Sequence, residues 1–318
     1  MTQDISQVSK QEALTIIQTL PPIDQVGTLE RASALMARSF KGQVKLQAID
    51  LAINMVDLTT LEGSDTLGTI KDLVSRATQP DNRTPECPST AAICVYGDRV
   101  TAAREYLKQI PSSVKLAAVS TAFPSGRNSL KLKIQETLQI LVAGADEIDM
   151  VIDRAAFLEG DYGKVYDEIK AVSLLTKEYN AKLKVIFETG ELVTLDNINK
   201  AAYLAVFAGA DFIKTSTGKV GVNATPANTL VLLRVAHQVY KTYGVLIGVK
   251  PAGGIKTTKE ALGYLSMVNE TNGAQWLNNE LFRFGASSLL SDLILQRQKY
   301  YFKGYSSSNY VSGSSAGY

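Results

Sequence analysis

Histidine and cysteine are scarce in this sequence of 318 residues, and the shortage excludes several kinds of site. His237 is the only histidine, so a metal site built from two or more imidazole ligands cannot form. Two cysteines are too few for a disulfide framework, and Cys94 lies in an apolar run where a buried thiol is the expected state. We therefore expect a reducing compartment and a chemistry that does not use histidine-bound metal.

A strong net charge and long apolar runs are missing as well. Lysine and arginine total 33 against 31 aspartates and glutamates, and a net charge of +2 is too small to gather a nucleic acid or an anionic membrane. No apolar stretch reaches the roughly 18 residues of a membrane span, and residues 1–10 lack the apolar core of a signal peptide. The sequence therefore predicts a cytoplasmic protein with neither nucleic acid nor membrane as partner.

A short apolar run followed by an amphipathic helical stretch recurs eight times along the chain. Successive runs begin about 25 to 40 residues apart, which is the length of a strand, a helix and two loops. Helices are predicted over 129–142 and 194–208, and over 227–240 with Pro226 in the first turn. The predicted strands are 52–58, 91–96, 115–120, 147–152, 183–188, 212–215, 245–249 and 281–284.

Eight such units in a row favour an α/β fold closed into a (β/α)8 barrel, the TIM barrel, over an open sheet. Residues 1–46 are predicted to form a helical extension packed on the barrel, and residues 47–302 the barrel itself. Residues 303–318 are rich in serine, glycine and tyrosine, which predicts a flexible tail.

Lysines lie near the ends of the sixth and seventh predicted strands, where barrels carry their catalytic side chains. Lys214 follows two apolar residues, and Lys250 stands at a similar depth on the next strand, about 4.8 Å away. Burial and a neighbouring like charge both favour loss of a proton, and a neutral amine attacks carbonyl carbons. For one lysine alone, a side chain that extends along the barrel rim into solvent is the alternative interpretation.

The loops after strands seven and eight suggest a phosphate site. Gly253 and Gly254 would let backbone N–H groups approach an anion, although a tight turn explains the pair equally well. Ser287 and Ser288 precede a predicted helix, whose first turn favours anions, although an N-cap serine needs no ligand. Barrels commonly hold phosphate between these two loops, so we predict a phosphorylated substrate.

Asp149 alternates with apolar residues inside the fourth predicted strand, so it is buried and requires a partner. A lysine across the barrel is the natural counter-ion. A salt bridge that merely fixes Lys250 and a catalytic role are both consistent with this pattern.

Several strings of this sequence together resemble the deoxyribose-phosphate aldolase family. The resemblance spans residues 56–295 and keeps its motifs in strand order. The strings are VDLTTL at 56–61, ICVY at 93–96, EID at 147–149, IKTSTGK at 213–219, VKPAGG at 249–254 and FGASS at 284–288.

The resemblance implies a class I aldolase, a carbon–carbon lyase without metal or cofactor. It would reversibly cleave 2-deoxy-D-ribose 5-phosphate to D-glyceraldehyde 3-phosphate and acetaldehyde in deoxyribose phosphate catabolism. Lys214 would form the Schiff base, and Lys250 would lower the pKa of Lys214 and shuttle protons with Asp149. The remaining implied residues are Gly253, Gly254, Ser287, Ser288 and Lys219 at the phosphate, and Asp57, Thr217 and Lys184 around the substrate hydroxyls.

Family members also include chains that end in a tyrosine which folds over the site and assists proton transfer. Tyr318 is the corresponding hypothesis here, with Tyr310 a second candidate in the same stretch. The resemblance further implies a homo-oligomer, either a dimer or a tetramer. Two alternatives stay open: another Schiff-base sugar-phosphate aldolase or transaldolase, and a non-catalytic phosphate-binding barrel.

Overall fold

Eight parallel strands form the centre of the computed structural model, which describes residues 4–304. In chain order, β1 to β8 are Val56–Thr59, Ala92–Val95, Lys115–Ser120, Glu147–Val151, Lys182–Ile186, Phe212–Lys214, Gly248–Lys250 and Phe284–Ala286. Each strand from β1 to β6 pairs in parallel with the next one along the chain, and β1 also pairs with β8. The predicted α/β barrel is confirmed.

Backbone hydrogen bonds between the β7 and β8 segments bring the two ends of the sheet together. The Val249 N–H donates to the Leu281 carbonyl, and the Gly285 N–H donates to the Pro251 carbonyl, both at 2.9 Å. Because the carboxyl ends of all eight strands then share one rim, side chains from distant parts of the sequence meet there.

Helices alternate with the strands and cover the outside of the barrel. Threonine N-caps mark the start of several, and Thr194, Thr225 and Thr257 each accept a hydrogen bond from the backbone N–H three residues later. In chain order, α1 to α13 are Lys10–Thr19, Gln25–Met36, Gly42–Asn54, Leu67–Thr78, Val100–Lys108, Leu130–Val142, Arg154–Leu158, Tyr162–Glu178, Thr189–Leu192, Leu195–Ala208, Pro226–Tyr243, Thr258–Asn272 and Leu289–Phe302. None of the helices between residues 4 and 304 is long and apolar enough to cross a membrane.

The helices that precede β1 pack on the outer helical layer. Helix α1 contacts α8 and α10, α2 contacts α11 and α12, and α3 contacts α12 and α13. Ile17 of α1 and Leu35 of α2 are fully buried in these contacts. The predicted boundary between the helical extension and the barrel, at residues 46 and 47, falls inside helix α3. Most of the predicted tail lies outside the described residues.

Three strand predictions began three or more residues too early. Residues 52–54, predicted as strand, are the end of helix α3, because an apolar run does not distinguish a buried helical turn from a strand. Strands β7 and β8 begin three residues later than predicted, at Gly248 and Phe284. The prediction for β3 over 115–120 matches the structure at both ends.

Candidate active site

Seven charged side chains project into the barrel and form one connected group, which we call the barrel ion cluster. Alternation along β4 places Glu147 and Asp149 on the same inner face. All seven residues are at most 3% exposed, so every charge depends on its neighbours rather than on water. The members of the cluster are Asp57, Glu147, Asp149, Lys184, Lys214, Lys250 and Arg283.

Asp149 is the centre of the upper part of the cluster. Its Oδ2 atom accepts hydrogen bonds from the Nζ atoms of both Lys214 and Lys250, each at 2.7 Å. Its Oδ1 atom accepts from Lys184 Nζ at 2.9 Å. Lys214 and Lys250 are register partners on β6 and β7, as their sequence positions predicted. One carboxylate oxygen therefore lies between the two lysine nitrogens.

The lower part of the cluster contacts two of these lysines, Lys184 and Lys250. Asp57 Oδ2 lies 2.5 Å from Lys250 Nζ and 3.3 Å from Lys184 Nζ. Arg283 binds Asp57 Oδ1 at 2.6 Å and Glu147 Oε1 at 2.9 Å. Lys184 is fully buried among these carboxylates and Asp149, and Asp57 is fully buried as well. Both were expected around the substrate hydroxyls, and in the free protein both are enclosed in the cluster.

Charge balance within the cluster favours one neutral amine. Lys184, Lys214, Lys250 and Arg283 supply four positive charges, against three negative charges from Asp57, Glu147 and Asp149. If one lysine releases its proton, three cations face three anions in an interior that penalises unpaired charge.

The shifts in pKa identify Lys214 as the lysine that releases its proton. Burial lowers the pKa of Lys214 below its ordinary value, and repulsion from Lys250 acts in the same direction against the attraction of Asp149. Burial also disfavours the Lys250 ammonium, but Asp149 and Asp57 outweigh it and raise the pKa of Lys250. Lys250 therefore keeps its proton at a pH where Lys214 has begun to lose one.

The residues predicted to hold phosphate lie in the loops above this cluster. Ser287 and Ser288 are exposed at the start of α13, and the Ser288 side chain makes no capping hydrogen bond within the described chain. Gly254 is exposed with a φ of +84°, and a Cβ atom there would meet open space. By contrast, the Gly253 N–H donates to the Gly285 carbonyl at 3.2 Å, so this N–H is already used within the barrel rim and is not free to bind phosphate.

The loop after β6 carries the two remaining predicted residues, and both have protein partners. Lys219 Nζ lies 2.7 Å from Glu62 Oε1. The Thr217 hydroxyl donates to Glu188 and accepts from the Lys219 N–H at 3.0 Å. Because its proton is committed to Glu188, the Thr217 hydroxyl has no proton left to donate to a substrate.

Comparisons with known proteins show which family the chain belongs to. A family model, the DeoC/LacD family aldolase, matches residues 46–293. Deoxyribose-phosphate aldolase of Mus musculus is 41% identical over 288 residues, which cover 88% of this chain and 89% of the relative. This chain belongs to the DeoC/LacD family of aldolases. The family predicted from the sequence strings is thereby confirmed.

Two solved structures resemble this aldolase in three dimensions. A putative deoxyribose-phosphate aldolase from Coccidioides immitis is 28% identical with a TM-score of 0.69, covering 92% of this chain and 99% of that one. The deoxyribose phosphate aldolase from Aeropyrum pernix, described as a unique tetramer, is 26% identical with a TM-score of 0.60. The match covers 81% of this chain and 99% of that one.

Glu147 and Arg283 of this aldolase were not predicted from the sequence as members of the ion cluster. Both had the signal that revealed Lys214, since each is a charged residue in or beside an apolar strand. Tyr318 and Tyr310 lie outside the described residues. Cys94 is fully buried, and burial raises the pKa of its thiol to about 11, so the thiolate is scarce near neutral pH.

Glu188, two residues after the end of β5, is a further residue of this aldolase that was not predicted from the sequence. It is fully buried and has a φ of +57°, a conformation that costs energy for any residue with a Cβ atom. Its carboxylate accepts from the N–H and hydroxyl of Thr217 and lies 3.4 Å from Arg154 Nη1. Glu188 thus fixes the loop that carries Lys219.

Proposed function

We propose that this chain is a deoxyribose-phosphate aldolase that reversibly cleaves 2-deoxy-D-ribose 5-phosphate to D-glyceraldehyde 3-phosphate and acetaldehyde. The observation that carries the proposal is the Lys214 amine, buried beside Lys250 and bonded to Asp149. An amine of lowered pKa at the carboxyl end of a barrel strand is placed for attack on an aldehyde. The mouse relative bears the name of this activity.

Imine formation uses the upper part of the ion cluster. The neutral Lys214 amine adds to the C1 aldehyde of the open-chain sugar and gives a carbinolamine. The hydroxyl of the carbinolamine leaves as water once it receives a proton, and the product is a protonated imine. Lys250 is the proton donor in our proposal, since it stays charged and shares Asp149 Oδ2 with Lys214.

Carbon–carbon cleavage then moves one electron pair toward the imine nitrogen. The C3 hydroxyl gives up its proton, the C2–C3 bond breaks, and C3 becomes the aldehyde carbon of glyceraldehyde 3-phosphate. The two-carbon fragment stays on Lys214 as a neutral enamine, which is protonated at C2 and hydrolysed to acetaldehyde and free amine. Asp149 and Lys250, with a bound water, relay these protons in our proposal.

The phosphate end of the substrate lies, in our proposal, at the loops after β6, β7 and β8. Ser287 and Ser288 offer hydroxyls and N–H groups at the first turn of a 14-residue helix, whose dipole favours an anion. Gly254 leaves room beside them, and Lys219 supplies a positive charge. In this arrangement Gly253 shapes the loop through its positive φ, and Thr217 and Glu188 position Lys219.

The test is cleavage of 2-deoxy-D-ribose 5-phosphate with both products measured. We expect equimolar glyceraldehyde 3-phosphate and acetaldehyde, and much slower cleavage of unphosphorylated 2-deoxyribose. Faster turnover of ketose phosphates in the same panel would favour a transaldolase or another sugar-phosphate aldolase. Phosphosugar binding without turnover of any substrate would favour a non-catalytic barrel.

We also propose a homo-oligomer in the cytoplasm. The tetrameric Aeropyrum pernix relative supports self-association, and the near-neutral net charge supports independence from membranes and nucleic acids. Light scattering of the purified chain should give the mass of a dimer or tetramer, and a monomeric mass would contradict this part of the proposal.

A further inference from the structure

An ion pair joins two loops on the rim of the barrel. Lys219 belongs to the loop after β6 and Glu62 to the loop after β1, and their Nζ and Oε1 atoms lie 2.7 Å apart. The two side chains are 27% and 40% exposed, so both remain in contact with solvent. A partly exposed pair of this kind contributes little to the stability of a fold. Its position on the rim of the barrel instead indicates a role in substrate binding.

Both partners extend from backbone that is held in place. The Asp65 carboxylate accepts from the Thr60 hydroxyl and from the Glu62 N–H, each at 2.9 Å. On the other side, the Thr217 hydroxyl accepts from the Lys219 N–H and donates to buried Glu188. The ion pair therefore forms between two anchored loops.

Strand order places this pair around the proposed phosphate site. The strand β8 lies beside β1, and β7 lies beside β6, so the loops that carry Ser287, Ser288 and Gly254 come between those of Glu62 and Lys219. The Glu62 carboxylate thus engages, in the free protein, the ammonium that a substrate phosphate would require.

We propose that Glu62 is an internal competitor for Lys219, displaced when the substrate phosphate binds, and that it sets the affinity for phosphorylated substrates. The inference rests on the proposed function, in which Lys219 binds phosphate. A carboxylate carries one negative charge, and a phosphate monoester carries nearly two near pH 7, so the phosphate outcompetes Glu62 while Glu62 weakens its binding. Between substrates, Glu62 keeps the Lys219 charge satisfied.

The variant Glu62→Gln removes the competitor and keeps the shape of the side chain. We expect KM for 2-deoxy-D-ribose 5-phosphate to fall about two- to five-fold, a factor consistent with the small interaction energies of exposed ion pairs. The inhibition constant of inorganic phosphate should fall by a similar factor, and kcat/KM for unphosphorylated 2-deoxyribose should stay unchanged. The difference should shrink in about 1 M salt, where screening acts over roughly 3 Å.

Two further variants make the experiment a cycle with a matched control. Lys219→Met removes the proposed phosphate ligand and should raise KM for the phosphorylated substrate, and Glu62→Gln added to it should then have no effect. Glu280→Gln makes the same charge change on an exposed side chain before β8, at the opposite end of the barrel, and should leave all constants unchanged.

The possible results separate this inference from the proposed function. If Lys219→Met raises KM but Glu62→Gln leaves it unchanged or raises it, Glu62 is not a competitor and the phosphate site stands. If Lys219→Met leaves KM unchanged, Lys219 does not bind phosphate, and both that part of the proposed function and the present inference are overturned. A lowered KM in Glu62→Gln that disappears in the double variant supports the inference.

Discussion

Replacing Lys250 with methionine should make the Lys214 amine far less available at neutral pH. Each lysine nitrogen lies 2.7 Å from the same Asp149 oxygen, so the two nitrogens are no more than about 5.4 Å apart. Two unit charges at that distance repel by roughly 3 kcal/mol at an effective dielectric constant of about 20. Without this repulsion, and with Asp149 no longer shared, the pKa of Lys214 rises.

The expected effect on rate follows from that energy. About 3 kcal/mol corresponds to a roughly hundred-fold smaller fraction of neutral amine at any pH below the pKa of Lys214. Cleavage of 2-deoxy-D-ribose 5-phosphate should therefore slow by at least about a hundred-fold at neutral pH, because loss of Lys250 as proton donor adds to this effect. Because the amine is recovered as protons are removed, the rate should climb about ten-fold per pH unit above neutrality.

The assay is a pH–rate profile of Lys250→Met from about pH 6 to 10, with Lys133→Met as a matched control. Lys133 is also fully buried and bonded to one carboxylate, Glu168, at 2.7 Å, but it lies on α6 in the outer layer. The control tests whether loss of any buried lysine shifts the profile, and we expect no shift. A Lys250→Met profile that keeps the wild-type midpoint would refute the electrostatic argument.

Two other predictions concern residues around the cluster. Glu188→Ala leaves the Thr217 N–H and hydroxyl without their acceptor, so chemical denaturation should show a loss of about 1–3 kcal/mol, and KM for the phosphorylated substrate should rise as Lys219 loses its support. Unchanged stability and KM would contradict the positioning role of Glu188. Deletion of Gly317 and Tyr318 should slow deuterium exchange into acetaldehyde, followed by NMR, and an unchanged exchange rate would remove the Tyr318 hypothesis.

Strand edges show where sequence patterns were sufficient and where tertiary contacts decided the structure. β3 was predicted at both ends because its apolar run coincides with the hydrogen-bonded strand. In β7 and β8, Gly248 and Gly285 belong to the strands although glycine usually weakens them. A Cβ atom at Gly248 would lie 2.2 Å from the Phe212 ring, and one at Gly285 would lie 2.7 Å from the Ala252 Cβ. Only the packed barrel reveals that these positions require glycine.

Within the site, the sequence predicted the residues better than their partners. Lys214, Lys250 and Asp149 could be identified because a charged side chain in an apolar strand is costly to bury and therefore requires a partner. That three lysines share Asp149, and that Arg283 holds Asp57 and Glu147 below them, depends on distances across the barrel. Likewise, the commitment of Thr217 to Glu188 and of Lys219 to Glu62 arises from contacts between loops that are remote in sequence.

The most direct test of the account is to trap the Schiff base on Lys214. The protein is incubated with acetaldehyde and borohydride, digested, and analysed by mass spectrometry to locate the adduct. We predict a single two-carbon adduct on Lys214 that is absent from Lys214→Met. No adduct, or one spread over exposed lysines while buried Lys214 stays unmodified, would contradict the proposed role of Lys214 as the nucleophile.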